Sequence, residues 1–313
     1  MALSPRRGNA LIGTPEYIVF IRIQKTGSTS LSTMLATTFA NEFNWTSTCN
    51  SRLLKCQSHA VGHMLPCSRR KVCFSASGVC GRLRPPRLLV EDVPHMTVAD
   101  TRFLLGHPRS NWSNVVVLTS LRHPYTRTLS EYKFFLATGS VANQGNTTWF
   151  HAWDWKYNKT ICGDYTLLNW LQCPSSMNGV WNRQTRMLSS SHWGGLHEDA
   201  SANHSGAASL ALTSAQQNLA DAQWVGLLEC PALSMCLLEA TLGLRPSSLS
   251  LPSLNIQHGT GWAAYAEQVS CEEQSLLRRA NEVDVKLVHF ARSLMLDTAQ
   301  QRWPQCKSLS CAL

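Results

Sequence analysis

A lysine, a glycine and four hydroxyl side chains stand together in the segment IRIQKTGSTS, Ile21–Ser30, directly after the apolar run YIVF. Their shared chemistry is the holding of an oxyanion. Lys25 supplies a point charge, Gly27 lets the backbone approach closely, and Thr26, Ser28, Thr29 and Ser30 offer hydroxyl donors. A strand that runs through such a loop into a helix also aims backbone N–H groups at an anion. A plain turn into a helix is the bland alternative. The nucleotide loop GxxxxGK[ST] does not fit, because here the lysine precedes the glycine and the first glycine is missing. A GTPase or ATPase is therefore disfavoured.

The elements that must position this loop can be read from periodicity. Tyr17–Ile23 is β-branched and aromatic and reads as a buried strand. From Ser28 to about Phe43, Leu31, Met34, Leu35 and Phe39 recur at helical spacing. A second strand is expected over Asn114–Arg122, with a helix from about Arg127 to Ala137 and a Trp-rich loop over 138–163. Short helices are expected around Tyr165–Leu171 and Asn182–Leu188. Further on, SLALTSAQQNLADA reads as a helix, QWVGLLE as a strand, and PALSMCLLEATLGL as a helix ended by Gly243. A long last helix is expected from about Cys271 to Arg302, with Leu277, Val283, Leu287, Phe290, Ala291 and Leu294 inward. Apolar strands alternating with helices imply an α/β fold with a central, mostly parallel sheet flanked by helices. Residues 1–16 read as an N-terminal segment and 17–313 as a single domain, with 44–110 an irregular Cys-rich insertion.

Composition bounds the partners. The chain has 313 residues, a formal charge of +9 and a pI near 9.1, with 44% hydrophobic and 15% charged residues. That is a globular composition, and its basic balance implies an acidic partner: nucleic acid, an anionic lipid surface, a polyanionic sugar or a phosphorylated cofactor. There are twelve cysteines, and Cys49, Cys56, Cys67, Cys73 and Cys80 crowd into one stretch without a CxxC pair. This favours disulfides in an oxidising compartment over zinc. Five N-x-[ST] sequons, at Asn44, Asn111, Asn146, Asn158 and Asn203, exceed the roughly two that chance would give. Glycosylation and a lumenal site follow as expectations. The N-terminal residues have no signal-peptide core and no stretch is long enough to span a bilayer, so membrane association is expected only through an anchor outside this chain.

The order Gln24-Lys25-Thr26-Gly27-x-Thr29 after a strand resembles the 5′-phosphosulfate loop of the PAPS-dependent sulfotransferases. LTSLRHPYTRTLSEY, Leu118–Tyr132, resembles that family's 3′-phosphate segment. There an arginine at the strand end and a serine eight residues later clamp the 3′-phosphate, and Arg122 and Ser130 occupy those places. A guanidinium fork with a hydroxyl from a helix start suits a dianion. The family usually has Arg-Asp-Pro where this chain has Arg122-His123-Pro124. DYTLLNWLQCPSSMNGVWNRQTRML, WVGLLECPALSMCLLEATLGL and NEVDVKLVHFARSLM are similar to stretches of heparan sulfate 6-O-sulfotransferases. The resemblance spans about 17–302, with 44–106 poorly matched. It implies the P-loop-like sulfotransferase fold, with Gln24, Lys25, Thr26, Gly27, Ser28, Thr29, Ser30, Arg122 and Ser130 binding PAPS as co-substrate. It further implies an anionic polysaccharide acceptor rather than nucleic acid, and residence in the Golgi lumen.

In-line sulfuryl transfer needs a base to activate the acceptor hydroxyl and cations to meet charge on the leaving oxygen. Lys25 suits the second role, and no metal is required. For the base, RFLLGHPRSNW resembles the GH element that carries a histidine base in related glycan sulfotransferases, and the resemblance implies His107, with His59, His63 and His95 as alternatives. Acceptor recognition is expected from Asn182, Arg183, Gln184 and Arg186, since arginine reads carboxylates and sulfates with two bonds. Two other readings stand beside this one: a sulfotransferase of small molecules, and a non-catalytic binding module for anionic glycans on the same fold.

Overall fold

The computed structural model describes residues 17–21, 23, 25–28, 30, 31, 34, 35, 38, 88–91, 115–142, 162–174, 176, 180–189, 205–249 and 267–311. Four strands, β1 (Tyr17–Ile21), β2 (Leu88–Glu91), β3 (Val115–Leu121) and β4 (Trp224–Leu227), form one sheet. Its order is β2-β1-β3-β4. Every neighbouring pair is parallel, with Ile18 opposite Leu88 and Val116, and Leu118 opposite Trp224. Parallel strands must be covered on both faces, so they read as continuous apolar runs rather than alternating ones. Val116–Leu121 is buried throughout, as are Trp224–Leu227.

The helices are α1 (Pro124–Ala142), α2 (Leu167–Gln172), α3 (Arg183–Leu188), α4 (Ser205–Asp221), α5 (Pro231–Leu242), α6 (Cys271–Ala280) and α7 (Glu282–Gln301). Ser28, Ser30, Leu31, Met34, Leu35 and Thr38, after the first strand, are helical as well. The main core joins the sheet to α4, α5 and α7 through Phe20, Leu118, Leu219, Leu237, Leu287 and Ala291. A second cluster, around Trp170, Leu129, Leu171 and Leu277, packs α1, α2 and α6 together.

The α/β class, the parallel sheet and the helices around it agree with the expectation, and α5 does end at Gly243 with φ 67°. Three details differ. Leu88–Glu91 is a strand inside the stretch expected to be irregular. Four residues beside PPR carry too little period to announce themselves, and β1 supplies the pairing that makes them a strand. The helix after β3 starts at Pro124 rather than near Arg127, proline being a good first helical residue. The long last helix is two helices, broken at Asn281 with φ −123°. Ser270 and Glu273 form a capping box that starts α6, and α7 is capped from elsewhere in the chain, as described below.

Three disulfides, Cys162–Cys173, Cys230–Cys311 and Cys236–Cys306, support the expectation drawn from the cysteine count, while Cys271 is a free, exposed thiol. The five crowded cysteines and the asparagines of all five sequons lie outside the described residues.

Candidate donor site

The strand order reverses direction between β1 and β3: the chain leaves β1 toward β2 on one side and β3 toward β4 on the other. Such a switch point opens a crevice at the carboxyl ends of the strands, and ligands of open α/β sheets bind there. The Lys25–Ser30 loop follows β1 and Arg122 follows β3, so the topology delivers both predicted anion-binding groups to one crevice.

The loop is pinned from below. Thr26 is fully buried and its hydroxyl donates to the Ile23 carbonyl at 2.8 Å, while Ser120 of β3 donates to the Thr26 carbonyl at 3.3 Å. The Thr26 hydroxyl is therefore turned into the protein, and what Thr26 can offer an anion is its backbone. Two residues take left-handed backbone, Lys25 with φ 65° and Gly27 with φ 74°. Gly27 can do so freely, whereas a lysine pays roughly 1–3 kcal/mol. A Cβ at Gly27 would also lie 2.8 Å from Cδ1 of Leu228, a side-chain end that would have to shift, so the left-handed φ is the stronger reason for the glycine. The Leu31 N–H bonds to the Gly27 carbonyl at 3.1 Å, which makes Gly27 the residue from which the following helix starts. The amides just after it belong to the first turn, where N–H groups have no intrahelical acceptor. Ser28 and Ser30 are buried in this turn; Gln24 and Thr29 lie outside the described residues.

Arg122 is held on every side. Its backbone N–H donates to Oε1 of Gln184 at 3.0 Å, and Nε2 of Gln184 donates to its carbonyl at 2.9 Å. Its Nε donates to the Thr126 hydroxyl at 3.2 Å, and one terminal nitrogen donates to the Lys25 carbonyl at 3.3 Å. Glu229, two residues beyond β4, accepts the His123 N–H at 2.8 Å through Oε1, with the Thr126 hydroxyl 3.4 Å from the same oxygen. Burial pushes the Glu229 carboxyl up from its ordinary pKa. One guanidinium thus joins the ends of β1 and β3 to the start of α1.

Thr126, Ser130 and Phe134 follow one another at steps of four along α1 and so lie on one stripe of it. Thr126 touches Arg122, and the Lys25 ammonium lies 3.2 Å from the centroid of the Phe134 ring. Ser130 therefore stands between the residues that touch the two cations, partly exposed. The loop and Arg122 thus meet at the Lys25 carbonyl, and Ser130 lies on the α1 stripe whose other members touch Arg122 and Lys25.

The four residues expected to read the acceptor have a different placement. Asn182, with φ 42°, accepts the N–H groups of Val283 and Asp284 through Oδ1 and so caps α7. Asp284 returns the favour: its carboxylate accepts the N–H groups of Gln184 and Thr185 at 3.0 and 2.7 Å, capping α3. Gln184 is spent on Arg122. Arg183 and Arg186 are 2% and 5% exposed, and burial beside Arg183 lowers the pKa of Arg186 to about 9. NRQTR is a brace behind Arg122, and its placement gives no support to an acceptor role. The bracing of Arg122 and His123 by Gln184, Thr126 and Glu229 was not legible, since nothing local in the sequence says which groups they hold.

His107, His59, His63 and His95 all lie outside the described residues. A histidine the sequence reading passed over, His123, borders the site and lines a cavity of about 240 Å³ with Pro124, Val285, Val288 and His289. Burial, then the nearby charges of His289 and Arg122, lower its pKa to about 4. Such an imidazole is neutral near pH 7 and holds a proton too weakly to be an effective base there.

A model of the sulfotransferase family matches residues 9–291. The chain belongs to that family. Among curated relatives, this sulfotransferase is 28% identical over 298 residues to heparan-sulfate 6-O-sulfotransferase 3-B of Danio rerio, covering 91% of this chain and 65% of the relative. It is 26% identical to heparan-sulfate 6-O-sulfotransferase 2 of Danio rerio over 305 residues, 91% of this chain and 59% of that one. It is likewise 26% identical to heparan-sulfate 6-O-sulfotransferase 3 of Homo sapiens over 308 residues, 94% and 59%. The sulfotransferase chain thus spans less than two thirds of the length of these relatives.

Proposed function

We propose that this protein transfers a sulfuryl group from PAPS to a hydroxyl of a heparan-sulfate-like polysaccharide. The observation that carries the reading is the Arg122 guanidinium, bonded to Thr126 on α1 and to the Lys25 carbonyl, with Ser130 between the residues that touch Arg122 and Lys25. PAPS, when bound, supplies the activated sulfuryl group and a bisphosphate leaving group. Arg122 and Ser130 hold its 3′-phosphate, a fork and a hydroxyl for a dianion. The loop amides and Lys25 hold the 5′ end, where Lys25 meets the negative charge that grows on the leaving oxygen. The inward-turned Thr26 contributes through its backbone, and Gln24 and Thr29 belong to the same proposed PAPS-binding set. His107 takes the proton of the acceptor hydroxyl. The polysaccharide acceptor and the 6-O position are taken from the names of the relatives, and the basic charge of the chain suits a polyanion; the Golgi lumen is our proposal for the compartment, and the three disulfides fit an oxidising lumen. Among the described residues no helix is long and apolar enough to cross a membrane.

The test is transfer of labelled sulfate from PAPS across a panel of desulfated polysaccharides and small phenols. Lys25→Ala should abolish transfer, and Arg122→Ala should raise the KM for PAPS at least tenfold, about 1.4 kcal/mol of lost clamp. Both variants turning over PAPS like the parent would defeat the reading. Transfer only to the phenols would shift it to a small-molecule enzyme. Binding of heparan sulfate with no transfer to any acceptor would leave a glycan-binding module.

A further inference from the structure

Phe134 is a large apolar side chain left 43% exposed on α1, and the Lys25 ammonium sits 3.2 Å from its ring centroid. We propose that Phe134 is the positioning residue for Lys25, its ring face holding the ammonium in the donor crevice without neutralising it. This rests on the reading of Lys25 as a donor-site residue.

The physical need is specific. A lysine has four rotatable side-chain bonds and loses much rotamer freedom when fixed. Here it also springs from left-handed backbone on a loop, with φ 65°. A carboxylate could fix the ammonium, but it would cancel the charge and compete with an anionic ligand. An aromatic face attracts the cation through its quadrupole, more weakly, and does not itself cancel the charge. The stripe Thr126–Ser130–Phe134 puts this ring on the same side of α1 as the hydroxyl that touches Arg122. One helix face thereby orients both cations, Arg122 through a hydroxyl and Lys25 through a ring.

The experiment replaces Phe134 with 4-fluoro-, 3,5-difluoro- and 3,4,5-trifluorophenylalanine, which drain the ring's negative face with little change of size. Transfer to desulfated heparan sulfate gives kcat, and titration calorimetry with adenosine 3′,5′-bisphosphate gives ligand affinity. The expected result is a stepwise fall in kcat with each fluorine, about two- to fivefold in all. Bisphosphate affinity should change less than kcat. Phe134→Trp should retain turnover and Phe134→Leu should match the trifluoro variant. A flat series overturns the proposal, because an exposed ring with a merely structural role would not track fluorination. So does a rise in bisphosphate affinity along the series, since the ring would then compete with the ligand for Lys25. Lys25→Ala separates the two failures. If it is inactive while the series is flat, only the Phe134 role falls; if it transfers like the parent, the donor-site reading falls and takes this one with it.

Discussion

At the scale of single residues, the proposed donor site is built from side chains whose work is to hold other groups still. Gln184 shows this most directly, because one amide satisfies both the N–H and the carbonyl of Arg122. Gln184→Leu keeps the volume and removes both bonds, leaving two part-buried backbone groups unpaired at about 1–3 kcal/mol. Steady-state kinetics should show a KM for PAPS raised several-fold with a smaller change in kcat, since the chemistry does not pass through residue 184. A fall in kcat alone would mean that Gln184 acts on the acceptor after all, as the sequence suggested. The proton acceptor is a separate matter. If His107 is the base, His107→Ala should lose on the order of 10²–10⁴ in turnover with bisphosphate affinity unchanged. The same substitution at His59, His63 and His95 gives the comparison, and collapse at one of those instead would reassign the base within the same mechanism. His123→Ala should cost far less, because an imidazole with a pKa of about 4 is already neutral and weakly basic.

At the scale of elements, α3 and α7 cap each other. Asn182 accepts from the start of α7, and Asp284 in the first turn of α7 accepts from the start of α3. The Thr185 hydroxyl adds a third bond to the same carboxylate at 2.7 Å, and Asp284 is fully buried. Asp284→Ala removes three charge-assisted bonds and leaves their donors buried, so a loss of about 3–5 kcal/mol is expected, read as a lower denaturant midpoint. Asn182→Ala, which strips the cap from the better-packed α7 alone, should cost about 1 kcal/mol. Equal losses would argue against a carboxylate-centred brace. This pair also marks the limit of what the sequence could say. The placement of Lys25, Gly27 and Arg122 after strand ends was legible because a strand end followed by a glycine, a lysine or an arginine is a local pattern with a local cause. NRQTR was legible as polar and basic, but the partner that turns it inward, Asp284, is about a hundred residues away. Leu88–Glu91 was illegible for the same reason: its strand character is conferred by β1, which it meets only in the folded sheet. The break at Asn281 was hidden because the apolar spacing continues across it.

At the scale of the whole molecule, two disulfides fasten the C-terminal segment to α5, and they are nested. Cys230–Cys311 closes 81 residues, and Cys236–Cys306 closes 70 residues inside it. Arg292 on α7 reinforces the outer bridge, its guanidinium donating to the Cys311 carbonyl at 3.2 and 2.9 Å. Nesting makes the two bridges redundant. With one in place, restoring the other closes only the short ring between them, 236 − 230 = 6 residues on one side and 311 − 306 = 5 on the other. Chain entropy then values each single removal at about 2.8 kcal/mol, but removal of both at about 7.3 kcal/mol, because the long loop opens as well. That exceeds the sum of the singles by about 1.7 kcal/mol and rivals the 5–15 kcal/mol by which a domain is stable at all. Denaturant titration of Cys230→Ser/Cys311→Ser, of Cys236→Ser/Cys306→Ser and of the quadruple variant measures the coupling. Both pairs should fold, with lowered midpoints, while the quadruple variant should be largely unfolded at 37 °C. Strict additivity of the two pairs would show that the bridges act by local packing and not by restricting the unfolded chain. The same arithmetic ties stability to compartment: a reducing environment removes both bridges at once, so the folded protein should persist only where its thiols are kept oxidised.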